Sequence, residues 1–334
     1  MTAYRTVESD LIFPAFRFDS GETLDELCLH LTTLGEPHRD AAGEIDNAVL
    51  LLHGTTGAGQ QFLGESFAGE LFGPGQLLDA SRYYLVMPDG IGHGASSKPS
   101  DDLCGRFPRY RYGDMVRAQH GLMEILGVKR WRLVLGTSMG GMHTWLWGTC
   151  YPEAARALMP LACLPVAIGG RNRMIRRMVM DAIRDDPDWR GGEYTAQPRG
   201  LTQALYGLIF MVSSPDAWQR EAPTREAADA LFDGMLRDYL GRFDANDMLY
   251  QFAASEDYDP APHLESIRAP LCAVNFADDA VNPPELGILE AMIARVERGR
   301  AVVLPASRET RGHRSHSIAA LWKSHLAVLL TDAV

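Results

Sequence analysis

At 334 residues the chain is too long for one minimal core and short for three, so one large domain, with or without an insertion, is expected. Hydrophobic residues at 46% and charged residues at 22% exclude a disordered, collagenous or disulfide-scaffold chain. With 32 Lys and Arg against 43 Asp and Glu, the net charge of −11 lacks the footprint of a nucleic-acid binder and argues against a polybasic membrane contact. The five cysteines, Cys28, Cys104, Cys150, Cys163 and Cys272, are scattered and form no C-x-x-C pair, so neither a structural zinc nor a disulfide framework is expected. The ten histidines include no H-E-x-x-H, and no metal or cofactor is expected. Met1 to Arg5 lead into mixed sequence without an apolar leader, and no apolar run reaches membrane-spanning length. A reducing cytoplasm is the expected compartment.

The first forty residues read as a β-meander, with short strands at Leu11-Ile12-Phe13, Phe16-Arg17-Phe18 and Leu27–Leu31 around a turn at Ser20-Gly21. Continuous apolar runs follow, the mark of strands buried on both faces. They are Ala48–Leu52, Tyr84–Met87, Leu133–Leu135, Leu158–Ala162, Leu271–Val274 and Ala301–Leu304. Pro160 is awkward for a central strand. Tyr112 to Leu126 carries helical spacing and stops at Gly127. Strand alternating with helix predicts a mostly parallel sheet flanked by helices. Between about Val166 and Asp259 the β-runs vanish and helical stretches take over, at Met174–Ile183, Gly200–Val212 and Arg225–Leu240. The division expected is a core over residues 1–165, a helical lid over 166–260 and the rest of the core over 261–334. On the lid, Arg171, Arg173, Arg176 and Arg177 form a basic cluster, read first as a solvated helix face and otherwise as a contact for a phosphate-bearing acyl donor such as CoA.

Gly136-Thr137-Ser138-Met139-Gly140 follows the third buried run and opens a helix that passes Trp145 and Trp147. A G-x-S-x-G turn between strand and helix lifts a serine hydroxyl clear of the backbone, so Ser138 is the candidate nucleophile. A serine needs a base, and the base needs an orienting group. In strand-turn-helix nucleophile proteins the order is Ser, acid, His. Asp278 and Asp279 both stand just past the fifth parallel run. His313 and His316 follow the sixth, and His313, after Gly312 and before the last helix, is the better base. Two donors are needed for the oxyanion of acyl attack. They are assigned to the backbone N–H groups of Met139, at the helix start, and Thr55, in the loop after the first parallel run. His53 precedes the nucleophile and is read as a structural hydrogen-bonder, and Asp89–Ser96 as a turn shaping the site.

These residues resemble the homoserine O-acetyltransferase-like branch of the α/β-hydrolase superfamily, and the matching stretches cover most of the chain. They include Phe18–Leu24, Asp46–Leu50, Asp114–Gln119, Ser138–Met142, Asp186–Trp189, Gly191–Tyr194 and Arg242–Asn246. The resemblance implies an α/β-hydrolase fold with an inserted helical lid. It implies Asp279, four positions before Pro283, as the acid, and Gly312-His313 as the base. It also implies a homodimer through lid helices carrying Met174, Met178, Phe210, Met211 and Phe232. One departure bears on specificity. The family's early-lid arginine, which holds an amino-acid carboxylate, falls on Leu205, beside Tyr206 and near Met211. An apolar residue cannot replace a guanidinium, and Arg199 or an arginine of the 171–177 cluster substitutes only if the lid places it over the pocket mouth. The first functional expectation is therefore a serine hydrolase acting on a small uncharged ester through Ser138, Asp279 and His313, with a pocket at Leu205, Tyr206 and Met211. An acyl-CoA-dependent O-acyltransferase is the alternative, and a non-catalytic hydrolase-fold scaffold the third.

Overall fold

The computed structural model describes residues 5–333. Among these residues eight strands form one sheet: β1 (Thr6–Arg17), β2 (Thr23–Leu34), β3 (Ala48–Leu52), β4 (Tyr84–Pro88), β5 (Leu133–Thr137), β6 (Leu158–Leu161), β7 (Leu271–Phe276) and β8 (Gly299–Leu304). Their spatial order is β1-β2-β4-β3-β5-β6-β7-β8. The six strands from β4 to β8 run parallel, and β1 and β2 add an antiparallel hairpin at one edge. The expected meander is thus one long hairpin. Ala15, at φ +49°, breaks the sequence pattern, yet pairing keeps one register from Phe13 opposite Leu27 to Phe16 opposite Leu24.

Among the described residues ten α-helices complete the fold: α1 (Ala68–Leu71), α2 (Tyr112–Leu126), α3 (Met139–Cys150), α4 (Gly170–Arg184), α5 (Arg199–Met211), α6 (Pro215–Glu221), α7 (Arg225–Leu240), α8 (Ala245–Ala253), α9 (Ile288–Ile293) and α10 (Ala319–Asp332). β3 and β6 are apolar at every position because each face meets helices, and the buried β5 and β7 carry a polar side chain, Thr137 and Asn275, only near their C-terminal ends. Along β3, Leu50 and Leu52 join the core that holds Trp145 and Trp147 of α3. Val49 and Leu51 join the opposite core with Leu71 of α1 and Trp322 of α10. Pro160 does lie in a central strand. Leu158 N and Ala162 N donate to Pro270 O and Val274 O on the β7 side, and the donor between them, at 160, is the one proline lacks. The strand gives up one rung and keeps its pairing with β5.

Between β6 and β7 stand α4 to α8, with no strand among the described residues. They have a core of their own, built on Val179, Ile183, Leu201, Leu205, Met248 and Phe252. The short helices α6 and α8 were not anticipated. Each begins at a side-chain cap: Ser214 Oγ accepts from Ala217 N, and the Asp244 carboxylate from Asn246 N and Asp247 N. Asp244 also accepts from the Tyr194 hydroxyl at 2.7 Å, and Trp189 Nε1 donates to Asn246 Oδ1 at 2.8 Å. Three separate stretches that carry the family resemblance thereby meet in one network that braces this layer. Among the described residues no helix is long and apolar enough to cross a membrane. No cluster of three or more His, Cys, Asp or Glu able to hold a metal lies among them.

Candidate active site

Ser138 sits between β5 and α3 at φ +54° and ψ −112°, a conformation that L-residues rarely adopt. Its neighbours make the turn possible. A Cβ on Gly136 would stand 1.9 Å from Gly140 O, and one on Gly140 would stand 1.9 Å from Leu52 O. Only glycine lets the helix start so close to β3 and β5. The turn leaves the Ser138 hydroxyl half-exposed at the C-terminal edge of the sheet.

His313 reaches it from the loop after β8. Its Nε2 lies 2.9 Å from Ser138 Oγ, and its Nδ1 lies 2.9 Å from Asp279 Oδ2. With Nδ1–H donating to the carboxylate, Nε2 is free to accept the serine proton. Burial works to raise the Asp279 pKa, but the His313 ring and the N–H groups of Val281 and Asn282 outweigh it and hold the carboxyl below its usual range. Those two N–H groups donate to Oδ1 at 2.8 and 3.2 Å, so the acid is fixed as well as ionised. Asp278 faces elsewhere. Its Oδ2 accepts from Thr310 Oγ1 at 2.9 Å and from Gly312 N at 3.0 Å, which shapes the histidine loop. Gly312, at φ +57°, lies so close to the lid that a Cβ would stand 2.7 Å from Ser214 N. The neighbouring Arg314 N donates to Val212 O at 3.2 Å. His316 packs edge-on against His313 at 5.3 Å, and burial lowers its pKa to about 3, so its ring is neutral.

On the other side of Ser138, a Cβ on Gly54 would lie 3.5 Å from Ser138 Cβ, which brings the Gly54–Gly57 turn against that serine. Neither the Thr55 N–H nor the Met139 N–H donates a hydrogen bond among the described residues, so both donors are available. His93 anchors the turn, with Nε2 2.9 Å from Thr55 O. His53 is buried and spent on the backbone: Nδ1–H donates to Gly54 O and Nε2 accepts from Gly90 N, both at 2.8 Å. Burial lowers its pKa to about 4.

The alpha/beta hydrolase fold family matches residues 47–206. The chain is 33% identical to the homoserine O-acetyltransferase of Pelobacter propionicus, over 92% of this chain and 91% of that protein. It belongs to the homoserine O-acetyltransferase family. The homoserine O-acetyltransferase of Geobacter sulfurreducens is 32% identical over 84% of this chain and 83% of its own. Among solved structures, the homoserine O-acetyltransferase from Bacillus anthracis superposes with a TM-score of 0.84 at 19% identity, covering 97% of each chain. An acetylester hydrolase from Corynebacterium glutamicum superposes with a TM-score of 0.83 at 21% identity, over 97% of this chain and 96% of that one. At these identities the two superpositions speak to the α/β-hydrolase fold alone.

In this member of the homoserine O-acetyltransferase family, Ser138 and His313 open into a cavity of about 200 Å³ roofed by the lid. Met211 and Leu208 line it. The other two expected pocket residues do not. Leu205 is 0% exposed and packs into the lid's own core, where the neighbouring helices surround it. Tyr206, one residue on, turns outward at 46% exposure and lines a separate cleft with Phe210 and Phe232. A second correction concerns the basic cluster. Arg171 and Arg177 are exposed, but Arg176 is 5% exposed and lines the Ser138 cavity. Its Nε donates to Asn172 Oδ1 at 3.0 Å, its Nη1 donates to Ser255 Oγ at 3.1 Å, and its guanidinium lies 5.6 Å over the Phe252 ring. Among the described residues Nη2 has no hydrogen-bond partner and no carboxylate comes within 4.0 Å of the group. The signal was present in the spacing: Asn172, Arg176, Val179 and Ile183 share the buried stripe of α4, and an arginine on such a stripe faces inward.

Proposed function

We propose that the protein is an O-acyltransferase that moves an acyl group from an acyl thioester such as acyl-CoA to the hydroxyl of a small carboxylate-bearing alcohol, with homoserine as the first candidate. The observation that carries this reading is Arg176. A guanidinium buried in the nucleophile's cavity without a carboxylate partner is costly, and a bound anion relieves that cost. Loss of the arginine at 205 had pointed to an uncharged ester and simple hydrolysis. A cation supplied from α4 instead of α5 removes that objection, and membership of the homoserine O-acetyltransferase family favours transfer.

In this reading His313 Nε2 takes the Ser138 proton as Oγ bonds to the thioester carbonyl carbon. The oxyanion is held by the N–H groups of Thr55 and Met139, the latter at the positive end of α3. The C–S bond then breaks, and the proton passes from His313 to the departing thiol. The acceptor hydroxyl next gives its proton to His313 and bonds to the acyl carbon. Ser138 leaves with that proton, and the enzyme is restored. Asp279 keeps Nδ1–H in place and stabilises the imidazolium throughout.

Water in place of the alcohol gives ester hydrolysis, the second reading, which the apolar side chains of Leu208 and Met211 in the cavity favour. The test is acetyl-CoA turnover with homoserine against 3-amino-1-propanol, the same molecule without its carboxylate. O-acetylation of homoserine at least tenfold faster supports the proposal, and free acetate as the sole product with either alcohol overturns it. The same reading includes pairing of two copies through the lid, where Met174 is 69% and Phe210 is 73% exposed. A mass of two chains by light scattering is the expected result, and a single-chain mass at micromolar concentration removes that part.

A further inference from the structure

A second cavity, of about 320 Å³, adjoins the first. Asn172 and Val281 line both. Its walls begin within one turn of the reacting groups. Met142, which lines it, is one helical turn past Ser138, and its N–H donates to Ser138 O at 2.9 Å. Val281 and Asn282, which also line it, are the residues whose N–H groups hold Asp279.

The chemistry of the lining is one-sided. Aliphatic side chains come from the segment that leads from β6 into α4, among them Val166 and Ile168, and from beyond β7, where Ile288 at the start of α9 lines the wall and the exposed Leu286 lines the rim. The polar side chains among them are mostly engaged. Asn282 Nδ2 donates to Ala162 O at 2.9 Å, and Asn172 Oδ1 accepts from Arg176 Nε at 3.0 Å. Arg171 lines the cavity too, and is exposed. A pantetheine arm, with two amides and a hydroxyl, would find few partners there. A hydrocarbon chain needs none.

We infer that this cavity receives the alkyl chain of the acyl group on Ser138, so that the enzyme handles straight acyl chains longer than acetyl. The inference rests on the acyl-enzyme reading of Ser138. It adds the class of acyl group, which the nucleophile and its base leave undetermined. Each methylene moved from water into such a chamber gains roughly fourfold in binding. Acylation efficiency therefore rises from two carbons to about six or eight and falls once the chamber is full.

The experiment is a series of p-nitrophenyl esters with acyl chains of two to twelve carbons, followed by the release of p-nitrophenolate in the wild-type protein, Val166→Phe and Ala167→Phe. Both substitutions add bulk to the lining away from the reacting groups, and Ala167, exposed at the rim, is the safer for folding. The expected result is a wild-type maximum at six to eight carbons. At least one variant should keep the two-carbon rate within about twofold and lose tenfold or more at eight carbons. A wild-type rate that falls steadily from two carbons, or variants that slow all chain lengths alike, overturns the inference while the acyl-enzyme reading stands. Release that persists unchanged in Ser138→Ala overturns both.

Discussion

The floor and the roof of the Ser138 cavity are held in place by different means. The floor belongs to the sheet. Ser138 is forced outward by a backbone conformation that two glycines permit, and Asp279 is held by two N–H groups of its own loop. The roof belongs to α4, α5 and their neighbours, where Arg176 and Met211 are set by which side of a helix packs inward. In the proposed reading, local geometry thus fixes the reaction, while side-chain packing fixes what is reacted. A change in the floor should abolish turnover for every substrate. A change in the roof should alter the ranking of substrates.

The sharpest challenge to this contrast is Ser138→Ala. Acyl-enzyme formation should disappear, measured as the burst of p-nitrophenolate, while the melting temperature stays close to wild type because a half-exposed hydroxyl contributes little packing. Next come two paired comparisons. His313→Ala should lower kcat by about 10³ to 10⁴, and His316→Ala far less. Asp279→Asn should likewise exceed Asp278→Asn, whose carboxylate only shapes the loop. The reverse ranking in either pair would move the reacting set by a few residues.

Arg176→Met tests the roof. Loss of a charge-assisted contact should raise KM for homoserine by roughly ten- to hundredfold, with hydrolysis of an aryl acetate nearly unchanged. Equal loss on both substrates would make Arg176 a structural residue. The smallest expected effect is a pH dependence of stability. Burial pushes the Asp247 pKa up to about 6, although its carboxylate accepts from Ser100 N and Ser100 Oγ. The folded protein then binds this proton more tightly than the unfolded chain, whose carboxyl titrates near the usual value of about 3.9. This group's contribution to stability is full below that value and is lost as pH rises through 6. Asp247→Asn should remove that slope from denaturant midpoints taken between pH 4 and pH 7.

What the sequence discloses follows the same division. The six parallel strands, the half-buried edge strand β8 included, the serine turn and the loops of Asp279 and His313 are legible because each depends on neighbours within a few residues. Their signals are an apolar run, a glycine at fixed spacing and a position after a strand. The hairpin is less so, since Pro14-Ala15 interrupts the pattern while the partner strand keeps the register. The lid is legible as helices but not as surfaces. Leu205 and Tyr206 are adjacent, and packing sends one into the lid core and the other into a different cleft. The four arginines of α4 look alike as a charge run, and only the packing of that helix separates the buried one from its exposed neighbours. Short α6 and α8 depend on caps, Ser214 and Asp244, that resemble ordinary loop residues until the chain folds.

The contact of Gly312 with Ser213 and Ser214, reinforced by the bond from Arg314 N to Val212 O, ties the roof to the loop that carries His313. A lid that swung open as a flap would pull the histidine loop off Ser138, so each opening would disarm the enzyme it was meant to load. In the proposed reading, substrates pass beneath a standing roof, and new specificities come from exchanging the side chains that hang from it. An engineer who transplanted a foreign lid onto this sheet would have to carry over the corner at residues 212–214, or the graft would arrive without a working base.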